Sequence, residues 1–284
     1  MHVLVTGAEA MLGRDLVPYL ESQGHRVTGI DLEVDITDPE AIGRALAQHA
    51  PEAVIHAAAY TNVDAAEEDE STATRVNGDG AGNVAAACAR AGIPMVQVST
   101  DYVFDGTKDG DYREDDPCAP TGAYGRSKFA GEQAVLAAHP DGVRIARTAW
   151  LYGAHGRNFI DTMRALARDR DEVTVVADQV GSPTWTGDLV VALEALLTAP
   201  PGVYHTAGGG STSWAGLARE VFAQAGLACT VRDITTAELG RPAPRPARSV
   251  LAVTRPQAPV LRDWREALRD YLQRNPLDEE THAA

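Results

Sequence analysis

Val3-Leu4-Val5-Thr6-Gly7-Ala8-Glu9-Ala10-Met11-Leu12-Gly13 is the stretch whose reading decides the fold. A short apolar run stops at Gly7, and an apolar-periodic segment begins at Met11, continues to Leu20 and stops at Gly24. Strand, tight turn and helix in immediate succession predict the opening unit of a parallel sheet. A turn in that place collects backbone N–H groups at a helix N-terminus, where the helix dipole favours an anion such as a pyrophosphate. Gly7 and Gly13 frame the nucleotide spacing, with Ala10 standing where the pattern has its middle glycine.

Outward from this unit the alternation continues. Val27 to Asp31 reads as a second strand. Thr37, Pro39 and Glu40 then form a capping box, with proline early in the first turn of a helix reaching about His49. Ala53 to Ala58 is a third strand; an Ala-rich helix over 81–91 leads to a fourth at Met95 to Ser99. The helical segment Thr121 to His139 leads to a fifth strand at Val143 to Arg147. Strands alternating with helices imply right-handed crossovers and a sheet covered on both faces. The expected fold is therefore a doubly wound, parallel, Rossmann-type α/β domain over residues 1–150. Beyond Trp150, Phe159 to Arg168, Asp188 to Leu197 and Trp214 to Ala225 read as helices and Val173 to Val176 as extended chain. Proline and glycine thicken at Pro200-Pro201, Gly208-Gly209-Gly210 and Arg241 to Pro246. Residues 151–284 are expected to form a smaller α/β substrate-binding domain, with segments passing back through the first, and Asp278 to Ala284 to form a frayed tail.

Composition narrows the function. The 284 residues carry 25 Lys+Arg against 40 Asp+Glu, a formal charge of −15 with no basic tract. Nucleic acid and acidic membrane surfaces are therefore poor partners. No apolar run approaches the roughly 18 residues of a membrane span, and no basic leader precedes the first strand. Cys88, Cys118 and Cys229 are odd in number and widely spaced, as expected of reduced thiols in a cytoplasmic protein. The eight histidines form no HxxxH pattern, so no catalytic metal is expected.

Two constellations carry chemistry. Asp31, at the end of the second strand, stands where a carboxylate accepts hydrogen bonds from an adenosine ribose. It favours NADH by repelling a 2′-phosphate, with Arg14 as a counterweight. Tyr124 and Lys128, four apart on a helix, share one face; a neighbouring ammonium eases proton release from a phenol toward a developing alkoxide. Thr100, ending the fourth strand, brings a hydroxyl toward the same oxygen. Trp150, Trp185 and Trp214 each suit a core, although Trp150 alone sits just past a strand end, where open α/β sheets bind ligands. Gly78, Gly80 and Gly82 mark either a close-packing site near the cofactor or an irregular stretch.

The order of these motifs resembles the extended short-chain dehydrogenase/reductase family. The likeness rests on His56-Ala57-Ala58-Ala59-Tyr60-Thr61-Asn62-Val63-Asp64, Ser99-Thr100-Asp101-Tyr102-Val103-Phe104, the Tyr124/Lys128 pair, Arg147-Thr148-Ala149-Trp150-Leu151-Tyr152-Gly153, Asp178-Gln179-Val180-Gly181-Ser182-Pro183-Thr184 and the stretch Arg245 to Leu251. It implies that Thr100, Tyr124 and Lys128 are catalytic. It further implies that Gly7, Ala10, Met11, Leu12, Gly13, Asp31, Asp35, Ile36, Ala59, Tyr60 and Thr61 line NADPH or NADH, together with Tyr124 and Lys128. Val63, Asp101, Tyr102 and Trp150 would face a dTDP-sugar, whose diphosphate would meet Arg245, or alternatively Arg248 or Arg241. The implied reaction is reduction of the C4 ketone of dTDP-4-dehydro-6-deoxy-L-mannose, and the resemblance leaves room for a homodimer. Two other readings stay open: another nucleotide-sugar 4-ketoreductase, and a non-catalytic NADP-binding subunit resembling the partner of methionine adenosyltransferase. Intact Thr100, Tyr124 and Lys128 argue against the second.

Overall fold

Six parallel strands form one sheet in the spatial order Gly202–His205, Val143–Thr148, Met95–Thr100, Ala53–His56, His2–Thr6, Arg26–Ile30. The chain turns to opposite sides after His2–Thr6, so the crevice of this doubly wound sheet opens at the carboxyl ends of that strand and of Ala53–His56. The computed structural model describes residues 1–276; the segment Asp278–Ala284, expected to be a frayed tail, lies outside the described residues.

The four inner strands of the sheet are buried on both faces, which explains why they are largely apolar runs, whereas the edge strand Arg26–Ile30 is mostly half-buried or exposed. Leu12, Leu16 and Leu20 of the helix Met11–Ser22 cover one face, together with Leu189, Leu193 and Leu196 of the helix Thr186–Leu196. Ile42 and Leu46 of Pro39–His49, Val84 and Cys88 of Ala81–Ala91, and Val135 of Ala123–Ala138 cover the other. A separate core gathers Tyr152, Ile160, Trp185, Leu217, Phe222, Trp264 and Tyr271 from the later chain. Trp185 is buried there.

The sixth strand, Gly202–His205, is not among the five expected, and two local details also differ from the sequence expectation. The helix Pro39–His49 is capped by Asp38, whose carboxylate accepts from the Glu40 amide at 2.9 Å. Thr37 instead donates to Asp35, because a carboxylate two residues earlier closes a tighter local turn. The glycines at 78 and 80 fall in a π-helical turn, Arg75–Gly80, running directly into the helix Ala81–Ala91. A side chain at Gly80 would meet Ile36 at 2.9 Å, and one at Gly82 would meet Ala134 at 3.1 Å, so close packing and irregularity coincide there.

The opening turn is tighter than its sequence alone reveals. Gly7 has φ +71°, and a Cβ there would lie 2.8 Å from the Ala58 nitrogen; one at Gly13 would lie 2.1 Å from the Gly7 carbonyl oxygen. Both positions therefore need glycine so that the first helix can seat against the turn.

Candidate active site

A cleft of about 430 Å³ opens at the carboxyl edge of the sheet. Tyr124 and Lys128 reach it from one face of the helix Ala123–Ala138, and Thr100 reaches it from the end of its strand. The Thr100 hydroxyl donates to Asp101 Oδ1 at 3.0 Å and accepts from the Tyr102 amide at 3.2 Å. The rings of Tyr102 and Tyr124 meet edge to face at 5.6 Å.

Burial sets the charge states. It pushes the Asp101 carboxyl up to about 6, although hydrogen bonds from Ser249 and Thr100 oppose this. The Lys128 amine is pushed down to about 8 by burial, with the charge of Glu132 holding it partly back. Its Nζ donates to the Val98 carbonyl at 2.8 Å. Burial, and then the Asp101 charge, raise the Tyr124 phenol above its ordinary value, while a hydrogen bond with Thr100 pulls the other way. This differs from the depression expected from Lys128: the ammonium is turned to a backbone carbonyl, and the dominant influences on the phenol are its own desolvation and a carboxylate. Tyr124 thus holds its proton across the neutral range.

Glu132, one turn beyond Lys128, accepts from Arg147 Nε at 2.9 Å and Nη2 at 2.6 Å and from the Ser99 hydroxyl at 2.6 Å. Asn77, buried in the π-helical turn, donates to the Tyr60 carbonyl and to Ser127 Oγ, both at 2.9 Å, and accepts from the Tyr60 amide at 2.8 Å. A residue adjoining Lys128 is thereby tied to the loop leaving the third strand. A side chain at Gly131 would strike the Asn77 carbonyl oxygen at 2.1 Å, so the helix packs directly on this turn.

The cleft fits a dinucleotide. The helix Met11–Ser22 begins with Ala10, which supplies no side-chain cap, and its first turn holds no acid. Its leading N–H groups are available to a pyrophosphate. A second cavity of about 550 Å³, lined by Ala8, Gly29, Asp31, Glu33 and Arg14 among others, adjoins the same turn and suits an adenosine. The Asp31 carboxylate accepts from the Glu9 amide at 2.8 Å, and Arg14 pairs with Glu9 at 3.2 Å.

Of the residues singled out from sequence, Ala10, Met11, Leu12, Ala59, Thr61 and Val63 line the main cleft, as do Thr100, Asp101, Tyr102, Tyr124, Lys128 and Trp150. Asp31 lines the second cavity. Gly7 and Gly13 shape the turn, while Ile36 is packed in the core beneath Gly80. Asp35 holds a local turn with Thr37, whose hydrogen bonds lower its carboxyl's pKa. Tyr60 joins through its backbone bonds to Asn77. Arg245 pairs with Asp64 at 2.9 Å and donates to the Ala243 carbonyl at 2.9 Å, and it also lies against the Tyr102 hydroxyl of the cleft, whose rise in pKa it opposes. Arg241 and Arg248 are likewise paired, with Asp64 and Asp111.

The cleft lining outside the sequence assignment includes Trp214, which the sequence reading suited to a core, and Arg157. Trp150 and Trp214 stack at 3.6 Å with planes 3° apart, and Trp214 Nε1 donates to Gln179 at 3.1 Å. Trp150 has φ +46°, a strained conformation for a bulky residue. A Cβ at Gly181 would fall 2.4 Å from its ring, which accounts for the glycine. No local pattern near Trp214 distinguishes it from a core tryptophan, and Arg157 has no motif around it that marks a ligand.

A dinucleotide cleft at the switch point of a doubly wound sheet, with Tyr124 and Lys128 on one helix beside Thr100, defines the class of extended short-chain dehydrogenases/reductases. Within that class the chain belongs to the RmlD family: the model described as RmlD substrate binding domain matches residues 1–276. It is 47% identical over 278 residues to a dTDP-4-dehydrorhamnose reductase of Streptomyces griseus, covering 94% of this chain and 91% of that one. Among solved structures it resembles a dTDP-4-dehydrorhamnose reductase of Clostridium acetobutylicum at 39% identity and TM-score 0.93, over 98% of this chain and 100% of that one. It also resembles a dTDP-4-dehydrorhamnose reductase of Bacillus anthracis in complex with NADP, at 37% identity and TM-score 0.93, over 96% and 99% of the two chains.

Proposed function

We propose that this chain is an NAD(P)H-dependent oxidoreductase that reduces the C4 ketone of dTDP-4-dehydro-6-deoxy-L-mannose to give dTDP-L-rhamnose. The convergence of Thr100, Tyr124 and Lys128 on one cleft beside the uncapped N-terminus of the first helix carries the reading. The names of the S. griseus, C. acetobutylicum and B. anthracis relatives support the substrate.

In this reading a bound dihydronicotinamide supplies the hydride. Tyr124 gives its phenolic proton to the ketone oxygen as that oxygen gains charge, and the Thr100 hydroxyl donates a hydrogen bond to the same atom. Lys128 holds the nicotinamide ribose. Val63, Asp101, Tyr102 and Trp150 face the sugar nucleotide, with Trp214 extending the aromatic wall. Residues 1–150 with the returning strand Gly202–His205 serve as the dinucleotide side, and the second core as the substrate side. Cytoplasmic residence, which three free thiols support, and a homodimer complete the proposal. Among the described residues no helix is long and apolar enough to cross a membrane.

The test follows absorbance at the nicotinamide band with this substrate and each cofactor supplied separately, beside a panel of other dTDP-4-keto sugars. Preferred turnover of a different panel member would reassign the sugar. Dinucleotide binding without oxidation on any keto sugar would leave a binding subunit only.

The Lys128 amine makes the pH dependence specific. With its pKa lowered to about 8, the ammonium is present below that pH and lost above it. Turnover and dinucleotide affinity are therefore expected to fall together as pH rises through about 8, two units or more before an ordinary lysine titrates. Profiles of kcat/KM and of cofactor dissociation constant that stay flat to about pH 10 would remove Lys128's charge from both roles.

A further inference from the structure

We infer that Arg157 clamps the pyrophosphate of the bound dinucleotide from the side of the second core, an inference that rests on the cofactor reading proposed above. The two cavities that would receive the cofactor's halves meet at the turn 8–12: Ala8 lines the adenosine side, and Met11 and Leu12 line the catalytic cleft. The segment His155-Gly156-Arg157 spans the same boundary from across the cleft, His155 lining the first cavity and Arg157 the second. Between them Gly156 has φ +103°, and a Cβ placed on it would lie 3.8 Å from Met11 Cε, so this loop passes directly over the first helix's N-terminus. His155 Nε2, 3.4 Å from Asp15 Oδ1, ties it to that helix.

Charge makes the assignment to Arg157 specific. A pyrophosphate brings two negative charges to a chain of net charge −15. Arg14, the arginine on the adenosine side, is held by the Glu9 carboxylate at 3.2 Å and the Glu9 carbonyl at 2.9 Å, with Asp31 and Glu33 nearby. Arg157 is exposed and makes no ion pair or hydrogen bond with the described residues. Its guanidinium has the planar donor fork that a phosphate accepts in pairs, and the backbone N–H groups of the turn contribute from below. The dinucleotide would thus be gripped between the two cores at its pyrophosphate.

Dissociation constants of NADH and NADPH, read from nicotinamide fluorescence, and of dTDP, read by calorimetry, test this on the full chain. Arg157→Ala is expected to weaken both dinucleotides about tenfold or more, with dTDP binding unchanged. Arg157→Lys should keep part of the affinity, because it retains the charge and loses the fork. Because the side chain is exposed, the melting temperature should not move, which separates lost binding from lost folding. Unchanged dinucleotide affinity in Arg157→Ala, beside normal wild-type binding, overturns the inference. A loss that falls on dTDP instead also overturns it and moves the guanidinium to the substrate's diphosphate. Failure of the wild-type chain to bind either dinucleotide would overturn the cofactor reading itself.

Discussion

Tyr124→Phe is expected to lower kcat by about 10²- to 10⁴-fold, the range that a positioned general acid contributes, while the dissociation constants of NADH and NADPH stay nearly unchanged. The substitution removes one oxygen from a ring that keeps its place against Tyr102, so the cleft retains its shape. It also relieves the buried position of a phenol whose proton burial and the Asp101 charge hold in place. The effect should therefore sit in the chemical step and not in folding or cofactor capture. Single-turnover reduction of the keto sugar, together with dinucleotide titration, separates these. A variant that keeps most of its rate would transfer the proton to another donor.

Glu132→Gln carries the largest expected effect on stability. Glu132 and Arg147 are nearly fully buried, at 2% and 4% exposure, and are joined through two guanidinium nitrogens. Neutralising one member leaves the other's charge desolvated without its counter-ion, a loss of about 3–5 kcal/mol in comparable buried pairs. The Cys118 sulfur and the Glu114 carbonyl, which also accept from Arg147, cannot replace a carboxylate. Equilibrium unfolding in urea reads this loss; a change under about 1 kcal/mol would mean that the pair is dispensable to the fold. A second effect follows at the active site. Glu132 is the charge that raises the Lys128 pKa against burial, so the alkaline fall in activity should move to lower pH in this variant.

Periodicity marked five of the six sheet strands, because a strand buried on both faces is written as an apolar run; the sixth, Gly202–His205, is four residues long and half-buried at its start, and did not stand out. The helices Ala81–Ala91 and Trp214–Ala225 fall on their expected bounds. The short helices Val63–Glu68 and Glu70–Thr74 did not stand out, since each buries one alanine and owes its start to Asn62 and Asp69 caps. Likewise the helix Trp264–Arg274 packs Trp264, Leu268 and Tyr271 inward amid charged residues that mask the stripe. At the site, residues tied to local spacing were legible: Tyr124 and Lys128 by one helical turn, Thr100 by its strand end. Trp214 and Arg157 were not, because only tertiary packing brings them to the cleft, from points 64 and 7 residues beyond Trp150 (214 − 150 and 157 − 150). The ion pair that occupies Arg245 was hidden for the same reason: its partner, Asp64, lies 181 residues away.

The edge strand Gly202–His205 completes the sheet only after some fifty further residues follow Val143–Thr148 in the chain. When the nascent chain has emerged only as far as Trp150, the outer edge of Val143–Thr148 has no neighbour, and the first helix lacks the leucines of Thr186–Leu196 that bury its flank. Such an intermediate exposes a bare parallel edge beside apolar surface, a template for aggregation. A fragment ending near residue 150 should accordingly be recovered from cells in inclusion bodies, whereas one carried through His205 regains both missing neighbours.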